Sequence, residues 1–109
     1  MTHLPNAAAA NVEESKVRDY LLNSGHPQNG GKSRYFRAFG FEAQQWVVMR
    51  DALIDHAMVN HLAGTSRSYH GTKHTVRCFI PTPDGRNPCI TTVWIIDGDR
   101  PPRLVTAYP

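Results

Sequence analysis

Three stretches of this 109-residue chain hold the residue types that proton transfer and anion binding require. In "SGHPQNGGKSRYF", His26 sits in a Gly/Pro-rich loop and Lys32 follows at the start of a predicted helix, just after Gly31. Histidine titrates near neutrality, which suits a general base or acid. The backbone N–H groups of a helix start, with a lysine beside them, favour an anion. A plain turn carrying an exposed loop histidine accounts for the same residues, because a short Gly-containing loop is a weak signal. In "YHGTKHTVRC", Lys73 follows Gly71 at the mouth of a predicted strand and Arg77 has the same parity, so both face one side of a sheet. Cations placed so can bind phosphate through charge-assisted hydrogen bonds. Charged protection of an edge strand is the competing explanation. In "RLVTAYP", the hydroxyls of Thr106 and Tyr108 alternate along a β-branched and aromatic run that reads as a strand docked into a sheet.

A metal centre is the remaining chemistry that the residue types allow. His70, His74, Cys78 and Cys89 are zinc-ligand types. A tight hairpin at Asp84-Gly85 would make the two cysteines diagonal neighbours on one face. Yet no CxxC and no HxxxH on a helix is present, and a free cysteine in a strand is usually a small buried hydrophobe. We therefore expect no metal and no cofactor. P-loop, GxSxG and dinucleotide fingerprints are absent from the sequence, and Trp46 and Trp94 read as core anchors.

Helices first and strands afterwards must position these groups. Val17, Tyr20 and Leu21 recur at helical spacing between Glu13 and Asn23, with Glu13 and Glu14 at the dipole-favourable end. "KSRYFRAFG" reads as a second short helix closed by Gly40. A third is expected from Glu42 to His61, its apolar rows being Trp46, Leu53, Ala57 and Val47, Ile54, Met58, with Gly64 closing it. His56 and His61 on that helix read as packing or surface residues. The period then changes to two in "KHTVRCFIP", "PCITTVWIID" and "RLVTAYP", separated by "TPDGRN" and "DGDRPP". The expected class is α+β: about three N-terminal helices packed on a three- to four-stranded antiparallel β-meander, the fourth strand arising if "TSRSY" joins an edge. Residues 1–11 read as a flexible arm and residues 12–109 as one domain.

Composition narrows the function classes. No apolar run approaches the roughly 20 residues that span a bilayer, and "MTHLPNAAAANVEESK" lacks a basic and an apolar signal region. Two cysteines suit a reducing compartment, so a cytoplasmic location is the default expectation. Net charge is +3, and two segments contain no acid. One holds His26, Lys32, Arg34 and Arg37; the other holds Arg67, Lys73, Arg77 and several histidines. Their convergence would form a patch for a polyanion, and their separation would leave two solvated faces.

Taken together, "KVRDYLLNSGHPQNGGKSRYFRAFGF", "YHGTKHTVR", "PTPDGR" and "TTVWIIDGDRPPRLVTAYP" resemble a bacterial domain of unknown function, found standalone or at the C-termini of large secreted proteins. That family is similar to the toxin ribonucleases of the barnase–EndoU–colicin–RelE superfold, in its helix-then-meander order and its terminal "TAYP"-like strand. The matching positions are His26, Gly31, Lys32, Gly71, Lys73, Arg86, Thr106 and Tyr108. "SGHPQN" stands where a plainer run is expected, and Glu42 where a Thr or Ser cap is usual. The resemblance implies an endoribonuclease that cleaves RNA by 2′-OH attack and needs no metal. His26 is its acid or base, Lys32 and Lys73 are electrostatic clamps, and Thr106 and Tyr108 orient the phosphate or share in proton transfer. Arg34, Arg77, Arg86, Gly31 and Gly71 would contact the substrate, and an acidic antitoxin or immunity protein is the expected partner. A non-catalytic module binding protein or nucleic acid through the same basic face is the alternative.

Overall fold

The computed structural model describes residues 2–26 and 31–109; the plain turn read in the Gly/Pro-rich loop after His26 falls on residues 27–30, which lie outside the described residues. After a 3₁₀ turn at Ala7–Ala9, the segment Lys16–Leu21 is wound as a π-helix, with the Leu22 N–H donating to the Val17 carbonyl at 2.8 Å. Helix α1 spans Lys32–Ala38, and a 3₁₀ turn at Ala43–Gln45 leads into α2, Trp46–Val59. Strands β1 (Leu62–Ser68), β2 (Gly71–Phe79), β3 (Cys89–Ile96) and β4 (Arg103–Tyr108) follow. They pair antiparallel in the order β1-β2-β3-β4, so the protein is α+β with its helices N-terminal to an antiparallel meander. Among the described residues no helix is long and apolar enough to cross a membrane.

The fourth strand is the stretch around "TSRSY". It begins immediately after α2, so Gly64 lies inside β1 beside a bulge and does not close the helix. Asn60 closes it: its side-chain amide donates to the carbonyls of His56 and Phe79, both at 3.0 Å, which turns the chain from helix into sheet.

The core lies between the helices and one sheet face. Val76, Ile90, Trp94 and Leu104 meet Val17, Leu21, Phe36 and Leu53 there. The buried face of α2 runs through Met49, Leu53, His56 and Ala57, taking Leu53 and Ala57 from the first apolar row and leaving Val47 and Met58 of the second exposed. His56 is 0% exposed. Its Nε2 faces the Cys78 and Ile90 carbonyls at 3.0 and 3.2 Å, so that nitrogen carries the proton. Nδ1 then accepts from the Thr92 hydroxyl at 3.1 Å, and Thr92 Oγ1 in turn accepts from Trp94 Nε1 at 2.8 Å. The helix is thereby bolted to β2 and β3 through satisfied polar groups.

The N-terminal segment is not the loose arm that its Ala-rich composition suggests. Leu4 and Ala7 are buried in the core. Leu62 N–H donates to the Thr2 carbonyl at 2.8 Å, and Asn11 bridges to β4 through Pro102 and Leu104. Apolar burial and borrowed strand hydrogen bonds hold it down, which composition alone does not disclose.

Candidate functional site

The Lys32 side chain, at the first residue of α1, reaches the edge strand β4. Its Nζ donates to Thr106 Oγ1 at 2.9 Å and to Tyr20 Oη at 2.7 Å. Two local irregularities bring these groups together. Gly31 takes φ 87° at the helix start, a left-handed conformation that glycine adopts without strain. In β4, Val93 pairs with Thr106 while Trp94 pairs with Leu104, so Val105 is an extra, bulged residue. A bulge re-aims the side chains beside it. Beyond it Ala107 faces the core opposite Thr92, and Thr106 and Tyr108 fall on the open face opposite Val93 and Thr91.

These residues open onto a cleft of about 550 Å³ lined by Lys16, Tyr20, His26, Lys32, Val105 and Thr106, and also by Glu13 and Ser15. The Tyr20 ring is its centrepiece. Lys32 Nζ lies 5.0 Å from the ring centroid and Lys16 Nζ 5.4 Å, while the His26 ring packs edge-on at 5.0 Å. Hydrogen bonding from Lys32, then from Thr106, holds the Tyr20 phenol below the ordinary tyrosine range, against a smaller opposing effect of burial. Lys32 Nζ is also 6.0 Å from the Tyr108 ring. The cleft therefore combines a histidine, a phenol, a threonine hydroxyl and two ammonium groups, a set suited to binding an anion and moving protons beside it.

The structure brings His26, Lys32 and Thr106 into one cleft with Gly31 beside it and Tyr108 at its edge. Lys73 and Arg77 lie elsewhere on the sheet. Both are exposed on the open face of β2, two strands from β4. Arg77 donates to Thr91 Oγ1 at 2.5 Å, on the rung that pairs with Tyr108. Lys73 shares a rung with Ile95 and Arg103, one two-residue step from the rung of Thr106. Arg34 is exposed on α1 and outside the cleft lining. Arg86 pairs with Asp84 at 2.6 Å, lies 4.4 Å over the Phe39 ring and donates to the Ala38 carbonyl at 2.6 Å. It ties the β2–β3 connection to the end of α1. Gly71 takes φ +122°, and a Cβ there would fall 2.2 Å from the Ile96 carbonyl oxygen, so backbone approach to β3 accounts for that glycine.

The cysteines do not form the one-faced pair considered for zinc. Phe79 pairs with Cys89 and Cys78 with Ile90, so the two occupy adjacent rungs and project to opposite faces. His74 is bonded through Nδ1 to Thr65 Oγ1 at 3.0 Å. Sequence reasoning missed Tyr20 and Lys16, having placed Tyr20 in an apolar row with Val17 and Leu21. Those two are fully buried, but the π-helical winding leaves Tyr20 at the cleft wall. The available signal was the i,i+4 spacing of Lys16 and Tyr20, which sets an ammonium over a phenol on one helical side.

A family model described as Domain of unknown function (DUF6883) matches residues 3–109. No protein of curated function matches. Among solved structures, a chain of the contact-dependent growth inhibition toxin–immunity protein complex from Klebsiella pneumoniae 342 has the same fold, with a TM-score of 0.72 at 17% identity over 90% of this chain and 97% of that one.

Proposed function

The chain belongs to the DUF6883 family, and we propose that its cleft is the active site of a toxin-like endoribonuclease. The observation that carries this reading is Lys32 Nζ held at 2.7 and 2.9 Å from Tyr20 and Thr106 beside His26. RNA cleavage by its own 2′-hydroxyl needs a base for that proton, cations for the charge developing on the phosphate, and an acid for the departing 5′ oxygen. His26 takes the proton, Lys32 and Lys16 stabilise the phosphorane-like charge, and Thr106 and Tyr108 orient the phosphate. Attack forms the O2′–P bond as the P–O5′ bond breaks, leaving a 2′,3′-cyclic phosphate and a 5′-hydroxyl end. O5′ takes up a proton as it departs, so a second proton-bearing group must act as acid beside His26.

The similar solved structure is a toxin–immunity pair, which supports a toxin setting with an immunity partner. A net charge of +3 fits a protein that binds a polyanion, and an acidic partner complements it. Induced expression in a bacterium, with total RNA followed on a gel, tests the proposal. Wild type is expected to arrest growth with RNA fragmentation, and His26→Ala or Lys32→Ala to abolish both effects while remaining soluble. Healthy growth and intact RNA with abundant folded wild type would refute catalysis and leave a binding module.

A further inference from the structure

Proton transfer to the leaving group needs a second titratable residue, and the cleft contains one that the sequence reading did not single out. Tyr20 Oη accepts from Lys32 Nζ at 2.7 Å, which fixes the phenol oxygen at the cleft wall. Any charge left on that oxygen would meet partners already in place. The Lys32 ammonium is in contact, Thr106 is bonded to the same ammonium at 2.9 Å, and a second ammonium, Lys16, stands 5.4 Å from the ring. The residue is presented by a π-helical turn, a rare winding that is frequent at functional sites. His26 abuts the same ring from the side, so an acid and a base stand next to each other in one cleft.

We propose that Tyr20 is the general acid of this cleft, donating its phenolic proton to the departing 5′ oxygen while Lys32 and Thr106 hold the resulting phenolate. The inference rests on the ribonuclease reading above. The 2′-hydroxyl proton passes to His26, O2′ bonds to phosphorus, the P–O5′ electron pair leaves with O5′, and O5′ takes the proton from Tyr20 Oη. Water then carries a proton from the imidazolium back to the phenolate, restoring both groups. The contacts from Lys32 and Thr106 that hold the Tyr20 phenol below the ordinary tyrosine range agree with this role, since what favours the phenolate favours proton release.

A change of leaving group tests the assignment. Purified wild type and Tyr20→Phe are compared on an RNA oligonucleotide and on uridine 3′-(4-nitrophenyl phosphate), whose aryl oxide departs without a proton. Tyr20→Phe is expected to lose about 10²–10³-fold on RNA and less than about 5-fold on the aryl ester, in line with the usual worth of acid catalysis. The alkaline limb of the RNA rate profile should vanish with it. Equal losses on both substrates would overturn the proposal, making Tyr20 a positioning residue for Lys32, and an unchanged RNA rate would overturn it outright. Should Tyr20→Phe lose its thermal unfolding transition, 3-fluorotyrosine in place of Tyr20 decides: the more acidic phenol must move the alkaline limb to lower pH, and an unmoved limb overturns the assignment. A folded wild type inert on both substrates refutes the ribonuclease reading, and this inference falls with it; an active wild type with parallel losses refutes this inference alone.

Discussion

Replacing Lys32 by alanine removes an ammonium in direct contact with the groups that would hold the scissile phosphate, whereas Lys73→Ala removes one exposed on β2. The two substitutions delete the same charge, so position alone sets their difference. A unit charge about 4 Å from an anion in a partly dry cleft contributes about 4 kcal/mol at an effective dielectric of about 20. Two strand spacings and one two-residue step separate the Lys73 backbone from that of Thr106 by about 12 Å. Across about 10 Å of water the same charge contributes about 0.4 kcal/mol before screening, and salt with a Debye length of about 8 Å reduces this further. In single-turnover cleavage of a short RNA oligonucleotide at physiological salt, Lys32→Ala should therefore slow the chemical step about 10²–10³-fold, the usual cost of one lost electrostatic donor. Lys73→Ala should change it less than about twofold, by the Coulomb figure just given. Equal losses from both would refute the reasoning, because the reacting phosphate would then have to sit over the middle of the sheet and not at the β4 edge.

Two further outcomes concern the scaffold. Burial holds His56 below the ordinary histidine value of 6.5, outweighing its two carbonyl partners, and burial lowers His74 as well. Below about pH 6.5 the unfolded chain then binds protons that the folded chain does not, so stability should fall with pH by up to about 1.4 kcal/mol per unit for each histidine. Asp84, whose carboxyl its Arg86 contacts hold below 3.8, acts only in more acidic solution. Urea unfolding at pH 7.5 and 5.5 checks this, and equal or greater stability at pH 5.5 would contradict it. Gly71→Ala forces a side chain at φ +122° against the Ile96 carbonyl and should lower the urea midpoint by the equivalent of about 1–3 kcal/mol. An unchanged midpoint would mean that the β1–β2 turn relaxes freely.

The order of the fold was legible because its signals are local. Apolar spacing changes from helical to alternating after α2, and turn residues separate the strands. What was not legible depends on partners far away in sequence. β1 exposes nearly every side chain and is a strand through its pairing with β2, so no burial pattern marks it. The N-terminal segment is ordered by its seat in the core and by bonds to β1 and β4, and its alanines carry no trace of either. His56 on a helix reads equally as surface or core until Cys78, Ile90 and Thr92 are seen to surround its ring.

The site divides along the same line. His26, Lys32 and Thr106 were visible as chemistry-bearing residues in unusual settings: a breaker-rich loop, a helix start after glycine and a terminal strand. Their convergence was not, since Lys32 and Thr106 are 74 residues apart and meet through one lysine side chain and one strand bulge. Lys73 and Arg77 carry the same sequence signal, cations of one parity beside a glycine, yet the meander spends two strands of width between them and β4. Parity fixes a face and says nothing of lateral distance. Tyr20 shows the converse. A phenol in an apolar row looks like core packing, and only a wider helical turn, with a lysine above its oxygen, turns its polar end into the cleft. In a domain this small the reactive geometry is written in irregularities, the π-turn, the left-handed Gly31 and the Val105 bulge, that periodicity smooths over.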